Sequence, residues 1–306
     1  MQVVTDSHHT LPPLAATIGF FDGVHVGHRF LIDQVKQVAR KEDLGSAVIT
    51  FPIHPRRVIQ EDYCPQLLSS PEEKKLLLEQ TGVDYCILLP FTRELSLYSA
   101  YDFMKLLHEK FHIEWLIIGY DHRFGHNRSE SFEDYCHYGK ELGIQIVKAE
   151  AFTNEGSKVS SSIIRKLLLN GEIKLANEIL GHSFTLDGTV VGGRKIGRTI
   201  GFPTANLKLN CNDKLIPAKG VYAVYVYVEG RKYKGMLNIG FRPTLNNGND
   251  LSIETHLFDF HDNLYSKQIS LEFIAYLRPE KCFNNLEELT KQIACDRKDS
   301  LSILSL

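Results

Sequence analysis

Along the first half of the chain, short apolar runs alternate with stretches whose apolar positions recur every three or four residues. Residues 15–20, 47–51, 85–89, 115–119 and 144–147 have the length and side-chain content of strands. Residues 30–40, 72–80, 100–110, 131–142 and 162–170 repeat at helical spacing. Buried strands separated by helices predict a parallel sheet built from crossovers. Ligands of such sheets gather at the C-terminal ends of the strands. After residue 181 the texture changes. Residues 183–191, 221–228, 232–239, 252–258 and 268–277 are β-branched and aromatic, with Gly, Asn and Asp between them. That spacing predicts an antiparallel barrel or sandwich. Residues 286–298 predict one final amphipathic helix. The helical stretch 173–181 ends on a glycine and reads as the linker. The expected organisation is therefore an α/β domain over 1–180 and a β domain over 181–306.

Composition narrows the class of protein. A chain of 306 residues, 43% hydrophobic and 24% charged, can build two globular cores. The net charge of -2 gives no global basic field, so no nucleic-acid partner is expected. The longest apolar stretches, such as 221–228, are strand-length, so no membrane partner is expected either. The six cysteines are scattered without a C-x-x-C pair. That argues against a zinc or disulfide framework and makes a cytoplasmic location the expectation. Residues 1–9 lack the basic and apolar regions of a signal peptide.

Two segments carry phosphate chemistry. The first, G-F-F-D-G-V-H-V-G-H over 19–28, directly follows a predicted strand. Gly19, Gly23 and Gly27 allow close backbone approach, with Phe20 and Asp22 between them. His25 and His28 share one face if a helix begins near His25. That helix N-terminus adds free N–H donors and the positive end of a dipole. Together these can hold a triphosphate and stabilise charge on a phosphorus attacked in line. A metal site at His25 and His28 is the rival reading. In the same domain, V-S-S-S-I-I-R over 159–165 places Ser161 or Ser162 as a helix cap and Arg165 as a phosphate clamp.

The second segment runs from Gly188 to Asn206. G-T-V-V-G-G-R-K over 188–195 fails as a P-loop, because Arg-Lys stands where Lys-Ser/Thr is needed. It reads instead as a glycine loop, Gly192, Gly193 and Gly197 with Arg194, Lys195 and Arg198 supplying positive charge. Thr204 and Asn206, in P-T-A-N, are hard oxygen donors two residues apart. They suit Mg²⁺ that also holds ATP phosphates.

The string G-x-F-D-G-V-H-x-G-H resembles the nucleotidyltransferase motif of bacterial FAD synthetases. The companions T-F-P-I-H-P (50–55), G-Y-D-H-R-F-G (119–125) and S-S-S-x-x-R agree. G-R-T-I-G-F-P-T-A-N (197–206) resembles the riboflavin kinase motif. In order and spacing, nearly the whole chain is similar to the bifunctional riboflavin kinase/FMN adenylyltransferase family. The resemblance implies a Rossmann-like nucleotidyltransferase domain, then an antiparallel β-barrel kinase domain with a terminal helix. It implies two consecutive reactions, riboflavin to FMN and FMN to FAD, with ATP as co-substrate and Mg²⁺ as cofactor. It assigns Glu254, in I-E-T-H-L, as the base that takes the ribityl hydroxyl proton. Asp121 and Arg123 fall in its flavin-side segment of the first domain, and Arg278 and Glu280 in that of the second. Segment 238–244 resembles its mobile flap.

Two residues depart from the family pattern. His122 stands where Phe is usual, which implies a local change at the wall of the first site. Ser266 stands where Gly is usual, a turn position where a non-Gly residue carries strain. Two rivals remain at this level: nucleotide transfer to another small phosphate or carboxylate, and a non-catalytic flavin sensor. The intact His25, His28, Thr204, Asn206 and Glu254 argue against the sensor. Partners are expected to be small molecules, with self-association no more than weak.

Overall fold

The computed structural model describes every residue except 6–10, 121, 127, 155–156, 194–196, 198–200, 243–249 and 306. The chain divides into two compact units, Met1–Ser161 and Ser162–Leu306.

The first unit is a six-stranded parallel sheet. Its strands are β1 (Gln2–Val4), β2 (Leu14–Ile18), β3 (Gly45–Thr50), β4 (Tyr85–Leu88), β5 (Ile113–Ile118) and β6 (Gln145–Lys148), in the order β1-β4-β3-β2-β5-β6. Helices α1 (Val26–Lys41), α2 (Pro55–Ile59), α3 (Pro71–Glu79), α4 (Ala100–Phe111) and α5 (Phe132–Leu142) lie between them. A two-stranded hairpin, β7 (Thr153–Asn154) with β8 (Ser157–Lys158), follows β6. Both sheet faces are covered, as the continuous apolar runs require. Ile49 and Ile87 pack with Met104 and Leu107 of α4, while Val48 and Cys86 pack with Ile32 of α1 and Leu78 of α3. Strand order reverses between β2 and β5, which makes the ends of those two strands the expected crevice for a ligand. The 19–28 and 119–125 segments follow those two ends.

Capping sets the helix starts. Ser70 and Glu73 form a capping box on α3, and Ser131 and Asp134 form one on α5. The helix read from 30–40 begins at Val26, because His25 caps it. Helix α6 (Ser161–Leu169) begins one residue earlier than its periodicity indicates. Ser161 and Ser162 therefore lie inside the first turn rather than at the cap.

The second unit is a closed antiparallel barrel. Its strands are β9 (Thr185–Val191), β10 (Ala205–Leu209), β11 (Gly220–Val228), β12 (Arg231–Arg242), β13 (Asp250–Leu257) and β14 (Gln268–Arg278), ordered β10-β13-β12-β11-β14-β9. Closure decides between the barrel and sandwich alternatives. Helix α7 (Ile173–Leu180) ends on left-handed Gly181 (φ 74°) and docks on β14. Its Asn177 donates to the Phe273 carbonyl at 2.8 Å and accepts the Phe184 N–H at 2.8 Å. Helix α8 (Leu286–Ile303) lies against β11, β12 and β14, where the Tyr225 hydroxyl donates to the Leu304 carbonyl at 2.8 Å.

Candidate active sites

In the first unit the loop after β2 is pinned on all sides. Gly19 N–H donates to the Ile49 carbonyl at 3.1 Å, and the Thr50 hydroxyl donates to the Phe20 carbonyl at 3.1 Å. The loop then turns through left-handed backbone at Phe21 (φ 55°), Gly23 (φ 75°) and Val24 (φ 39°). For a β-branched residue such as Val24 that conformation is strained, and strain of this kind collects at functional sites. Asp22, almost fully buried, accepts the backbone N–H groups of Leu68 and Ser69 at 2.9–3.1 Å. Gly23 N–H donates to the Ser69 hydroxyl at 2.9 Å. Asp22 thus staples the turn to the segment that leads into α3.

The turn delivers His25 to the N-cap of α1. Its Nδ1 accepts the His28 backbone N–H at 3.3 Å, which leaves the proton of a neutral His25 on Nε2. The two rings stack with centroids 3.6 Å apart, and the His28 ring meets the edge of Phe21 at 5.1 Å. Burial, reinforced by His25 and Lys74, holds His28 well below the ordinary histidine pKa. Its Nδ1 is buried with no partner among the described residues, the kind of atom that a substrate satisfies. Gly27 faces the His25 ring, where a side chain would crowd it. The Ser161 hydroxyl donates to the Asp22 carbonyl at 3.2 Å, so the start of α6 meets the same turn. Ser162 follows it, and Arg165 lies one turn further along that helix.

At the end of β2 lies a cavity of about 120 Å³. Ile18, Phe51, Phe91, Phe103, His122, Arg123 and Phe124 are among its walls. Phe124 stacks on Tyr135 at 4.4 Å, and the Tyr135 hydroxyl donates to the Phe124 carbonyl at 3.1 Å. The sequence-level candidate Asp121 lies outside the described residues; Arg123 is on the cavity wall. Lys74 of α3 was missed by sequence reasoning. Its ammonium is buried at the ends of β2 and β3 and donates to the Phe20 and Phe51 carbonyls at 3.2 and 3.0 Å.

In the barrel, register brings together residues that are far apart in sequence. Asn206 pairs with Glu254, Glu254 with Asn238, Asn238 with Val221, and Val221 with Arg278. Directly paired residues share a face of the sheet, so these five form one row around the barrel. Glu254 also accepts the Thr204 hydroxyl at 3.3 Å. Two cavities meet at Thr204. One, about 300 Å³, includes Gly197, Asn238, Glu254, Arg278, Glu280 and Phe283 among its walls. The other, about 350 Å³, is lined by Val190, Thr204, Leu257, Phe260, Asn263 and Tyr265, among others.

Supporting contacts fix these groups. His256 lies two residues beyond Glu254, on the same strand face. Its Nδ1–H donates to the Pro203 carbonyl at 2.7 Å, which anchors the residue before Thr204. Burial lowers the His256 pKa, so the ring is neutral at neutral pH. Gly193 lies against the Asn206 side-chain amide, and Gly240 against the Glu280 carboxylate; a Cβ at either would overlap its neighbour. The Arg278 guanidinium is engaged by Asp296 of α8 at 2.8 and 2.7 Å, and Asp296 also accepts from Gln292 at 2.9 Å. Arg278 therefore lines the cavity with its fork already paired. Gly192 stands in open space, and Lys195 lies outside the described residues.

Among the described residues no cluster of three or more His, Cys, Asp or Glu could hold a metal ion. That leaves His25 and His28 without a third protein ligand of those types. Mg²⁺ is usually held by few protein oxygens together with substrate phosphates. Thr204 and buried Asn206 are oxygen donors of this kind.

Comparison with known proteins agrees with both halves. The FAD synthetase family model matches residues 7–163, and the riboflavin kinase family model matches residues 180–304. Bifunctional riboflavin kinase/FMN adenylyltransferases are similar at full length. The Bacillus subtilis protein is 36% identical, covering 99% of this chain and 97% of its own. The Escherichia coli protein is 38% identical, covering 92% and 89%. A crystal structure named as a macrolide-efflux protein from Streptococcus pneumoniae has a TM-score of 0.88 at 29% identity, covering 98% of both chains. Among the described residues no helix is long and apolar enough to cross a membrane.

Proposed function

Because the chain belongs to the family of bifunctional riboflavin kinase/FMN adenylyltransferases, converting riboflavin to FMN and FMN to FAD, we propose that the barrel, over 181–306, carries the kinase and that 1–180 carries the adenylyltransferase. The observation that carries the kinase assignment is the Thr204–Glu254 contact at the junction of two cavities. Riboflavin occupies the cavity bordered by Asn238, Arg278 and Glu280, and ATP the one bordered by Tyr265. Glu254 takes the proton of the ribityl hydroxyl, whose oxygen bonds to the γ-phosphorus as ADP leaves. Thr204 and Asn206 would hold Mg²⁺, which when bound neutralises phosphate charge. The Gly192–Gly193 and Gly197 backbone, with Lys195, covers the phosphates.

In the first unit the FMN phosphate attacks the α-phosphorus of a second ATP. The bond from that phosphorus to the bridging oxygen breaks, and pyrophosphate leaves. His25, His28 and the first N–H groups of α1 stabilise the charge, with Ser161, Ser162 and Arg165 assisting. Gly19, Phe20, Asp22 and Gly23 form the cradle. The flavin ring enters the aromatic cavity beside Arg123, with Asp121 as a second flavin-binding residue. We place the enzyme in the cytoplasm, with small molecules as its partners, no nucleic acid, and self-association no more than weak.

A chromatographic time course with riboflavin, ATP and Mg²⁺ tests the reading. FMN rising and then giving way to FAD is expected. Glu254→Ala is expected to remove FMN formation and keep FMN adenylylation; His28→Ala is expected to stall the pathway at FMN. Equal loss of both activities in either variant would contradict separate sites. Offering nicotinate mononucleotide or phosphopantetheine in place of FMN tests the acceptor.

A further inference from the structure

Lys74 is the feature of the first unit that the proposed chemistry leaves unused. It sits on α3, only 5% exposed. Its ammonium has three acceptors, all neutral: the Phe20 carbonyl at 3.2 Å, the Phe51 carbonyl at 3.0 Å and the Thr50 hydroxyl at 3.3 Å. It also lies over the Phe20 ring, 4.1 Å from its centroid. A buried charge without a bonded carboxylate is expensive, so its retention in a structural role alone would be unusual. Its acceptors are the last residue of β3 and the loops that leave β2 and β3, on the strand ends where ligands bind. The first loop continues into the strained Phe21–Val24 turn that carries His25 and His28.

We propose that Lys74 is a positioning residue for adenylyl transfer: its ammonium clamps the Phe20 and Phe51 carbonyls together and so holds the turn that presents His25 and His28 to the phosphates. The proposal rests on the adenylyltransferase reading of this unit. The clamp acts through backbone, so its loss displaces the histidines without removing a group that touches substrate. A displacement of about 1 Å can cost about 10²-fold in rate. Burial lowers the Lys74 pKa to about 8, partly offset by Asp22 and by Cys86 of β4. The other charged or titratable groups in reach are His28 and, through it, His25. Lys74 is therefore charged, with all three hydrogen bonds donated, below about pH 8, and loses its charge above it.

The test uses the full chain, Lys74→Met and Lys74→Arg, with both activities measured on each protein. Wild-type conversion of FMN to FAD comes first; its absence would overturn the adenylyltransferase reading rather than the role of Lys74. In wild type, kcat/KM for adenylylation is expected to fall as pH rises past about 8, since that ratio reports free-enzyme ionisations. Lys74→Met is expected to lose about 10²-fold in adenylylation kcat, with KM values little changed and riboflavin phosphorylation intact. Its residual activity is expected to lack the alkaline fall, and Lys74→Arg to recover most of the rate. Three results would each overturn the proposal. One is a Lys74→Met enzyme within about threefold of wild type; another is an alkaline fall that persists unchanged in it. The third is a wild-type profile flat through about pH 9, which needs no variant to fold.

Discussion

His25 accepts the backbone N–H of His28 through Nδ1 while the two imidazoles stack 3.6 Å apart between centroids. The pair is thereby a cap and a ring stack at once. Since burial and neighbouring positive groups lower the His28 pKa, its imidazole is expected not to titrate between about pH 6 and 8. Histidine NMR resonances followed through that range check this. The linkage has a definite sign. Below about pH 6.5 the unfolded chain binds a proton at this position that the folded chain refuses. Stability is therefore lost as pH falls from there towards the folded pKa. Urea denaturation at stepped pH is expected to show a shallower acid loss in His28→Asn than in wild type.

The Asp22 carboxylate holds the Leu68 and Ser69 N–H groups, so Asp22→Ala strands buried donors. A loss of about 2–3 kcal/mol in the first unit is expected, together with FMN adenylylation. Riboflavin phosphorylation is expected to survive. Denaturation monitored alongside both assays separates the outcomes, and a variant as stable as wild type would refute the staple.

Gly193 leaves the space that the Asn206 amide fills. Gly193→Ala is expected to push Asn206 aside, lower kinase kcat by about tenfold or more and raise the Mg²⁺ concentration for half-maximal rate. FMN adenylylation is expected to be unchanged. A normal Mg²⁺ dependence would remove Asn206 from the metal assignment.

Ser266 has φ 63°, and its N–H donates to the Val190 carbonyl at 2.9 Å. The turn keeps its left-handed conformation despite the departure from glycine. Ser266→Gly is expected to stabilise the barrel by up to about 1 kcal/mol, read as a raised thermal midpoint with unchanged kinase rate.

What was legible in the sequence was local. Stretches 15–20 and 268–277 announce strands, observed as Leu14–Ile18 with every side chain buried and as Gln268–Arg278 with alternate side chains buried, and the glycine-histidine string announces a phosphate turn. Strand β10 was missed: Ala205–Leu209 follows a Pro-Thr and carries Asn and Lys, so it reads as loop until its neighbours β9 and β13 pair with it. The row from Asn206 through Glu254 to Arg278 depends on register, which no single segment encodes. Lys74 stands in Glu-Glu-Lys-Lys, a run that reads as solvated helix face. Its burial follows only from where α3 packs. The pairing of Arg278 with Asp296 was equally hidden, since it needs α8 laid against the barrel.

The two barrel cavities share Thr204 as a common wall. A single molecule with a flavin-like ring in one and a purine-like group in the other, joined by a short anionic bridge past that hydroxyl, would occupy both at once. Its second half would bind intramolecularly, at the millimolar effective concentration of a short linker. Such a bridged compound is expected to inhibit riboflavin phosphorylation by filling both cavities across Thr204.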